Sequence, residues 1–409
     1  MRQLKWHFIS VLCLIFLLML STVPAYADSE VERVRSIINQ QYVDTVPAAV
    51  NEADTIDQML QALGDPYAEY FTPAEFLQFK QALDQTFVGI GIVFDVNPQG
   101  VIIKNVLNQS PAEQSGLLTD DVILSADGNS LANKDITAAG NLIRGLENTK
   151  LNLRVKRGQT IFTVTITRHA IDLPSVNYRI LQHHIGYVDI DAFSSDTGLR
   201  FGEAIADLQK QGAISWIIDL RDNGGGYLEA ARLAAGYFIP GQTCFFTDNR
   251  YFNSRSQEAD RPGNTLNGPI TVLVNDRTAS ASEVLAGALQ DYNKAIIIGQ
   301  TTYGKGSVQW LFDLGSDGVL KLTCEKYRTP LGRQVNKIGI APDLPTTVDS
   351  LKIAELILSG QSLTPDRIKT RVSVHGHVYP ISLTLANSFA YQHVYNELLK
   401  LSRPARQAG

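Results

Sequence analysis

The first pattern along the chain is that of amphipathic helices. Apolar residues recur at the spacing of one helix face at Val31, Val34, Ile37 and Ile38. Gly64 and Pro66 interrupt the pattern, which then continues to about Leu83. These spacings predict a small helical N-terminal region over residues 28–84.

From Phe87 onward the pattern changes to short runs of β-branched residues. Gly, Asn and Pro separate these runs, as is typical of strands joined by tight turns. The predicted strands are residues 91–94, 100–103, 121–124 and the longer stretch 151–166. We expect a compact β-rich domain over residues 85–169.

Apolar strands alternate with amphipathic helices beyond this domain. The predicted strands are residues 185–190, 214–220, 270–274 and 295–298, and the predicted helices are residues 198–211, 228–238 and 280–292. Such alternation indicates an α/β layer architecture. We therefore predict an α/β multidomain protein whose α/β core covers residues 170–350.

The last segment, residues 351–409, is predicted to be a C-terminal extension. It contains a hairpin pattern around residues 375–380 and a helix pattern over residues 385–401. This helix and the N-terminal helix of residues 29–41 are each expected to present an apolar face that is free for self-association into a homo-oligomer.

The N-terminus has the layout of an export signal. Arg2 and Lys5 precede an apolar run over residues 8–20, and small residues follow at Ala25 and Ala27. The run has 13 residues, whereas a bilayer-spanning helix needs about 20. We expect cleavage after Ala27 (signal peptide 1–27) and export to the periplasm or another extracytoplasmic space, which is the thylakoid lumen in a photosynthetic host. The alternative is an uncleaved signal that attaches the protein to a membrane.

The charge balance argues against one class of partner. The net charge is −5, and binding to a nucleic-acid backbone depends on clustered Lys and Arg. No nucleic-acid partner is therefore expected.

Cys13 belongs to the signal, so a mature chain keeps Cys244 and Cys324. Their spacing demands no pairing, and two separate buried thiols are favoured over a disulfide, which remains the alternative.

Two segments of the β-rich domain resemble a PDZ domain. The first is the loop of Gly89, Ile90, Gly91 and Ile92, and the second is residues 110–117 with the Asp127-Gly128 turn. Asp120 departs from the family, which usually has Gly there. The resemblance implies that the Gly-rich loop binds the terminal carboxylate of a peptide that adds as a strand to the sheet edge.

Ser280 is the first candidate for chemistry, because it lies between a predicted buried strand and a predicted helix. Unpaired N–H groups and the helix dipole at such a position favour a developing negative charge. A purely structural interpretation competes with this one. Ser280 followed by Glu283 also fits a capping box, which stabilises a helix without any catalysis.

Lys305 lies between two glycines after a second apolar strand. A lysine can activate a serine only if burial lowers its pKa enough to leave it neutral. The structural alternative is a solvated lysine in a Gly-rich hairpin. No Gly-x-Ser-x-Gly motif is present to support a conventional triad, and His375 and His377 lack nearby acidic or thiol partners, so neither a metal nor another cofactor is expected.

In order and in kind, the segments resemble the carboxyl-terminal processing peptidases. The matching segments are residues 65–67, 219–226, 275–283, 304–306, 327–332 and 339–343. The resemblance implies Ser280 as nucleophile, Lys305 as general base 25 positions later and Gln309 as the residue that orients the lysine. It also implies an oxyanion hole from the backbone N–H groups of Ala281 and Gly225. The predicted protein is an exported serine endopeptidase that binds accessible C-termini of protein substrates and cleaves near them through an acyl-enzyme.

Two other functions fit parts of the sequence. Residues 299–305 match a phosphate-binding loop, although Gly306 stands where that pattern needs Ser or Thr. A non-catalytic PDZ scaffold is the other alternative, and it predicts the loss of Ser280, Lys305 or Gln309, all of which are present. A neutral lysine base further predicts activity that rises with pH into the alkaline range.

Overall fold

The computed structural model describes residues 30–251, 253–347, 349–388 and 391–402. The predicted signal peptide lies outside these ranges. Across the described ranges, no helix is long and apolar enough to cross a membrane. The chain divides into two compact units, and their described parts are residues 30–73 with 309–324, and residues 74–251, 253–308, 325–347, 349–388 and 391–402.

The elements follow one another along the chain. Up to the end of the β-rich domain they are α1 Glu30–Gln41, α2 Ala48–Glu52, α3 Ile56–Leu63, β1 Glu69–Phe71, α4 Pro73–Leu83, β2 Thr86–Gly89, β3 Ile92–Asn97, β4 Gly100–Val106, α5 Pro111–Gln114, β5 Val122–Ala126, β6 Asn129–Ser130, α6 Ile136–Ile143, β7 Lys150–Arg157, β8 Thr160–Thr167 and β9 His169–Asp172. Beyond it they are β10 Val176–Leu181, β11 Ile185–Ile190, α7 Thr197–Lys210, β12 Ser215–Asp219, α8 Leu228–Gly236, β13 Thr243–Asn249, β14 Ser254–Glu258, β15 Ile270–Val274, α9 Ala281–Asp291, β16 Ile296–Gly299, β17 Ser307–Asp313, β18 Val319–Arg328, β19 Leu344–Pro345, α10 Ser350–Ser359, β20 Ile368–Val374, β21 His377–Ser382, α11 Leu383–Asn387 and α12 Gln392–Leu401.

The first unit combines the N-terminal helices with residues from far along the chain. Val34 and Ile38 of α1 are fully buried, and they share a core with Leu320 and Leu322 of β18. β1 pairs antiparallel with the first residues of β18. Three short helices expose more apolar surface than they can cover alone, so the strand residues complete their core.

The PDZ-like domain of the second unit is built on one antiparallel sheet, with strand order β3-β4-β5-β7-β8. Its entry strand β2 pairs with its exit strand β9 in a separate two-stranded ribbon. Asp120, which replaces the usual glycine, has φ 69°, and the Asp127-Gly128 turn has φ 48° and 81°. These values explain the residue choice, because Asp and Gly tolerate the left-handed region better than other residues do.

The α/β core has a six-stranded sheet of order β10-β11-β12-β15-β16-β19. β10 pairs antiparallel, and the remaining neighbours are parallel. One face packs against α7, α8 and α9, as Ile218 and Val272 illustrate. The other face packs against α10, β20, β21 and α12, as Ile217 and Leu273 illustrate. Successive strand residues alternate between these two cores, as the pleat of a strand requires.

The C-terminal extension covers one face of this sheet. The hairpin that the sequence predicts consists of β20 and β21 joined by His375 and Gly376, whose φ values are 51° and 76°. Positive φ at both residues is typical of a two-residue type I′ turn. The helix predicted over residues 385–401 is instead two helices, α11 and α12, because the chain is extended at Ser388.

The expectation of free apolar faces on the terminal helices is wrong. Val394 and Leu398 of α12 are buried in the core that covers the sheet, and Val34 and Ile38 of α1 are buried in the first unit. These apolar side chains pack against other elements of the same chain, so they are not free for self-association. Cys244 and Cys324 are both buried and form no disulfide with each other, which confirms the prediction of two separate thiols.

Candidate active site

Ser280 lies in the turn between β15 and α9, directly before the first residue of the helix. Its backbone has φ 58° and ψ −119°, a conformation that L-residues avoid and that costs about 1–3 kcal/mol. Such strain is also found at the serine of a nucleophile elbow, where a sharp strand-to-helix turn presents the hydroxyl. The residue is only 8% exposed, so surrounding contacts hold it in this conformation.

Glu283 connects the serine turn to the lysine loop. Its carboxylate is fully buried and accepts the backbone N–H of Ser280 at 2.8 Å, as the capping box predicts. It also accepts the N–H groups of Gly304 at 2.7 Å and Lys305 at 2.9 Å, and the hydroxyl of Thr302 at 2.5 Å. The N–H groups of Ser280 and Lys305 bind the same oxygen, Oε2, so the two residues lie side by side.

The lysine loop is fixed by its backbone on several sides. The N–H of Tyr303 donates to Thr278 at 2.9 Å, two residues before Ser280. The carbonyl of Gly304 accepts from Lys337 at 2.7 Å, and a Cβ at Gly306 would lie only 2.3 Å from the backbone of Asn336. Lys305 itself is half-buried. The two glycines therefore allow the close approach of neighbouring backbone that holds the lysine beside the serine turn.

The Gly-rich turn after β12 approaches Ser280 closely. A Cβ at Gly225, whose φ is 100°, would lie 2.7 Å from the Cβ of Ser280 and 3.0 Å from the N of Ala281. The predicted oxyanion donor at Gly225 is engaged, however, because its N–H donates to Oδ1 of Asn223 at 2.8 Å. Ala281 is the first residue of α9, where a backbone N–H has no partner within the helix.

Gln309, the predicted orienting residue, belongs to the first compact unit. There its side-chain amide donates to the hydroxyl of Thr323 at 3.1 Å. Its role toward Lys305 stays a prediction.

Acidic side chains cluster at the ends of β11 and β12. Asp219 accepts the hydroxyl of Tyr187 at 2.8 Å and the guanidinium of Arg221 at 2.6 Å. Asp189 lies opposite Asp219 in the register of the two strands. Burial, with the nearby carboxylates of Asp219 and Asp191, raises the pKa of Asp189 to about 6.

This raised pKa predicts a pH-dependent effect of Asp189→Asn. A carboxyl whose pKa is higher in the folded than in the unfolded state destabilises the fold when it is charged, above pH 6, and loses this effect as the pH falls toward 4. We expect Asp189→Asn to be more stable than wild type at pH 8, by about 1 kcal/mol in the free energy of unfolding after allowance for solvent screening. Denaturant unfolding measures this difference. The difference should close by pH 4.

Asp222→Asn provides a control of opposite sign. The pKa of Asp222 is lowered by hydrogen bonds from Asn275 and Arg277, so its stabilising effect is present at pH 8 and is lost in acid. A stability gap for Asp189→Asn that is equal at pH 8 and pH 4 contradicts the electrostatic origin.

The Gly-rich loop of the PDZ-like domain borders an apolar groove of about 440 Å³. Gly89, Ile90, Gly91 and Ile92 form one wall and α6 forms the other, with Ile136 and Ile143. The carbonyls of Ile90 and Gly91 accept from Ala112 at 2.8 Å and Leu107 at 3.0 Å. The groove has the position and character that the predicted binding of a peptide C-terminus requires.

Gly91→Ala should weaken peptide binding to this groove strongly. Gly91 has φ 78°, and a Cβ there would lie 2.2 Å from the Cβ of Ser110, which is backbone-adjacent and cannot move away freely. Gly89→Ala is the matched control, because its Cβ would meet no atom within 4 Å. Fluorescence anisotropy of a labelled peptide with a free apolar C-terminus should show at least about tenfold weaker binding for Gly91→Ala only. Equal affinity of the two variants would place the ligand elsewhere.

The phosphate-loop alternative is wrong. A phosphate-binding lysine stands at the start of a helix, whereas Lys305 leads into the strand β17. His375 forms the hairpin turn and His377 begins β21. Over the described ranges, no group of three or more His, Cys, Asp or Glu side chains is arranged to hold a metal ion.

The comparisons with known proteins agree with this architecture. The model of peptidase family S41 matches residues 184–346, and the model of the PDZ domain matches residues 88–167. A carboxyl-terminal-processing protease of Picosynechococcus sp. is 35% identical over 316 residues, which are 75% of this chain and 76% of the relative. A probable CtpA-like serine protease of Staphylococcus aureus is 33% identical over 371 residues, which are 86% of this chain and 74% of the relative.

Among solved structures, a Bacteroides fragilis protein assigned as an S41 protease has the same fold, with a TM-score of 0.53 at 17% identity, over 93% of this chain and 100% of that one.

Proposed function

Because this chain belongs to peptidase family S41, with the carboxyl-terminal-processing proteases among its relatives, we propose that it is an exported enzyme that cleaves protein substrates near their C-termini through Ser280 and Lys305. One observation carries the assignment of these residues. Their backbone N–H groups bind one buried oxygen of Glu283, at 2.8 and 2.9 Å. This arrangement holds the backbone of Lys305 next to that of Ser280, which stands at the start of a helix.

The proposed reaction begins with neutral Lys305 removing the proton of the Ser280 hydroxyl. The serine oxygen attacks the substrate carbonyl, and the lysine then donates the proton to the leaving amine. The N-terminal part of the substrate remains on Ser280 as an ester. Water, activated by Lys305, hydrolyses this acyl-enzyme and restores the serine.

Backbone dipoles stabilise the negative charge that develops on the carbonyl oxygen. The N–H of Ala281 at the start of α9 is the first donor that we propose. A second donor from Gly225 requires its N–H to leave Oδ1 of Asn223, to which it donates in this structure. Substrate binding has to supply the energy of that exchange.

The PDZ domain captures the substrate in this proposal. The apolar groove beside Gly89 and Gly91 receives the C-terminal residues, and the loop N–H groups bind the terminal carboxylate. The N-terminal sequence directs the enzyme out of the cytoplasm, where its partners are exported proteins with accessible C-termini.

Cleavage of an unstructured protein with a free apolar C-terminus tests the proposal. The same substrate with an amidated C-terminus lacks the terminal charge, so we expect its kcat/KM to be at least about tenfold lower. Equal kcat/KM values would contradict the role of the PDZ domain. Cleavage by Ser280→Ala at the wild-type rate would contradict the catalytic assignment separately.

A further inference from the structure

Two large apolar side chains are exposed beside Lys305. Tyr303 is 60% exposed and Ile338 is 61% exposed, whereas their neighbours Thr302 and Ile340 are 5% and 1% exposed. We call Tyr303 and Ile338 the apolar platform. Exposing this much apolar surface next to a buried site is unfavourable by itself, and such patches commonly mark binding surfaces.

Backbone contacts hold the two segments of the platform together. The N–H of Lys337 donates to the carbonyl of Gly304 at 2.7 Å. A Cβ at Gly304 would lie 2.9 Å from the N of Ile338, and one at Gly339 would lie 2.3 Å from the carbonyl oxygen of Thr302. The two segments are therefore in backbone contact on both sides of Tyr303. The backbone that carries the platform is preformed, so a ligand does not have to order it.

The platform also has a fixed relation to the proposed chemistry. Tyr303 precedes Lys305 by two residues, and the lysine loop is bound to the serine turn through Glu283 and Thr278. A base that takes the proton of a serine returns it to the leaving amine, so it faces the leaving side of the scissile bond. Side chains that border the base are thus expected to border the residue on that side.

We propose that Tyr303 and Ile338 form a subsite for a large apolar side chain directly after the scissile bond. The proposal rests on the assignment of Lys305 as general base. The proposed occupant is a substrate polypeptide, because the platform borders the lysine loop, which is bound to the serine turn. An aliphatic or aromatic side chain at that position removes apolar surface from water on both partners.

Mapping of cleavage sites tests the subsite. Wild-type enzyme, Tyr303→Ala, Ile338→Ala and the double variant each digest a pool of unstructured peptides that share one apolar C-terminal sequence, and mass spectrometry identifies the bonds that are cut. We expect wild type to favour Leu, Ile or Phe directly after the cut. In the variants this preference should weaken, with about a tenfold loss of kcat/KM for such a peptide and less than about a twofold loss for one with Ala there.

Leu331→Ala is the matched control. Leu331 is 74% exposed, and its N–H donates to Asp291 at the far end of α9. This variant should keep the wild-type preference, and Tyr303→Phe should keep it as well. An unchanged preference in the double variant, or a change confined to the residue before the cut, overturns the subsite. In either case, cleavage that still depends on Ser280 leaves the proposed function standing.

Discussion

Ser280→Ala and Lys305→Ala should each lower kcat by about a thousandfold or more without unfolding the protein. In the proposed mechanism the two side chains act as one unit, because the hydroxyl is a weak nucleophile until the lysine takes its proton. The kcat of the double variant should therefore be about the same as that of either single variant. Initial rates on the unstructured substrate measure kcat, and circular dichroism spectra show whether each variant is folded.

Ser282→Ala is the control for this result. Ser282 is the other serine of the same segment and is fully buried, and its hydroxyl donates to the carbonyl of Asn223 at 3.1 Å. Losing this bond costs about 1 kcal/mol of stability and should leave kcat within a few-fold of wild type. A loss of kcat in Ser282→Ala as large as in Ser280→Ala would contradict the choice of nucleophile.

Glu283→Ala should have the largest effect on stability. It removes the acceptor of three backbone N–H groups, the buried ones of Ser280 and Gly304 and the partly buried one of Lys305. At about 1 kcal/mol or more for each unsatisfied group, we expect a loss of at least about 3 kcal/mol in the free energy of unfolding. Because Glu283 positions the serine and the lysine, kcat should also fall by about a hundredfold or more while KM changes little.

Two further variants serve as references for the expected losses of stability and kcat. Glu283→Gln keeps one acceptor oxygen, so both losses should be smaller than in Glu283→Ala. Glu229→Ala removes an exposed glutamate of α8, whose side chain is 62% exposed, and should change stability by no more than about 0.5 kcal/mol. Denaturant unfolding at pH 7 compares the three. If Glu283→Ala is as stable and as active as Glu229→Ala, the carboxylate does not hold the site.

The sequence predicts the local features of the site well. Ser280 lies between a buried strand and a helix, as the apolar pattern indicates, and Glu283 accepts the N–H of Ser280, as the capping box predicts. The hairpin turn at Gly376 also follows from its residue types. Each of these features depends on residues within a few positions of one another, so the local pattern contains the necessary information.

Long-range contacts are the part that the sequence does not predict. Considered alone, the pair Ser280 and Glu283 favours a structural cap over catalysis. The structure shows that one carboxylate does more, because it also binds the N–H of Lys305, 22 residues further along the chain. A capping pattern is the same whether or not a distant loop shares the acceptor, so no local signal separates the two cases.

Two other features depend on tertiary contacts in the same way. The positive φ of Ser280 has no neighbouring glycine to reveal it, since the strain is held by packing around the turn. The sequence pattern places residues 309–324 within the α/β core of residues 170–350, yet Leu320 and Leu322 complete the core of the N-terminal helices. An apolar strand pattern predicts burial without specifying which helices cover it.

The central claim is that Ser280 becomes covalently bound to the substrate during turnover. Acid quenching within the first turnover, followed by digestion and mass spectrometry, tests this claim directly. The proposed mechanism predicts that the peptide containing Ser280 gains the mass of the N-terminal substrate fragment, and that Lys305→Ala shows no such adduct. Two results would contradict the mechanism. One is a fragment bound to another residue, such as Ser282, in an enzyme that turns over at the wild-type rate. The other is the absence of any adduct under conditions where product release shows a burst.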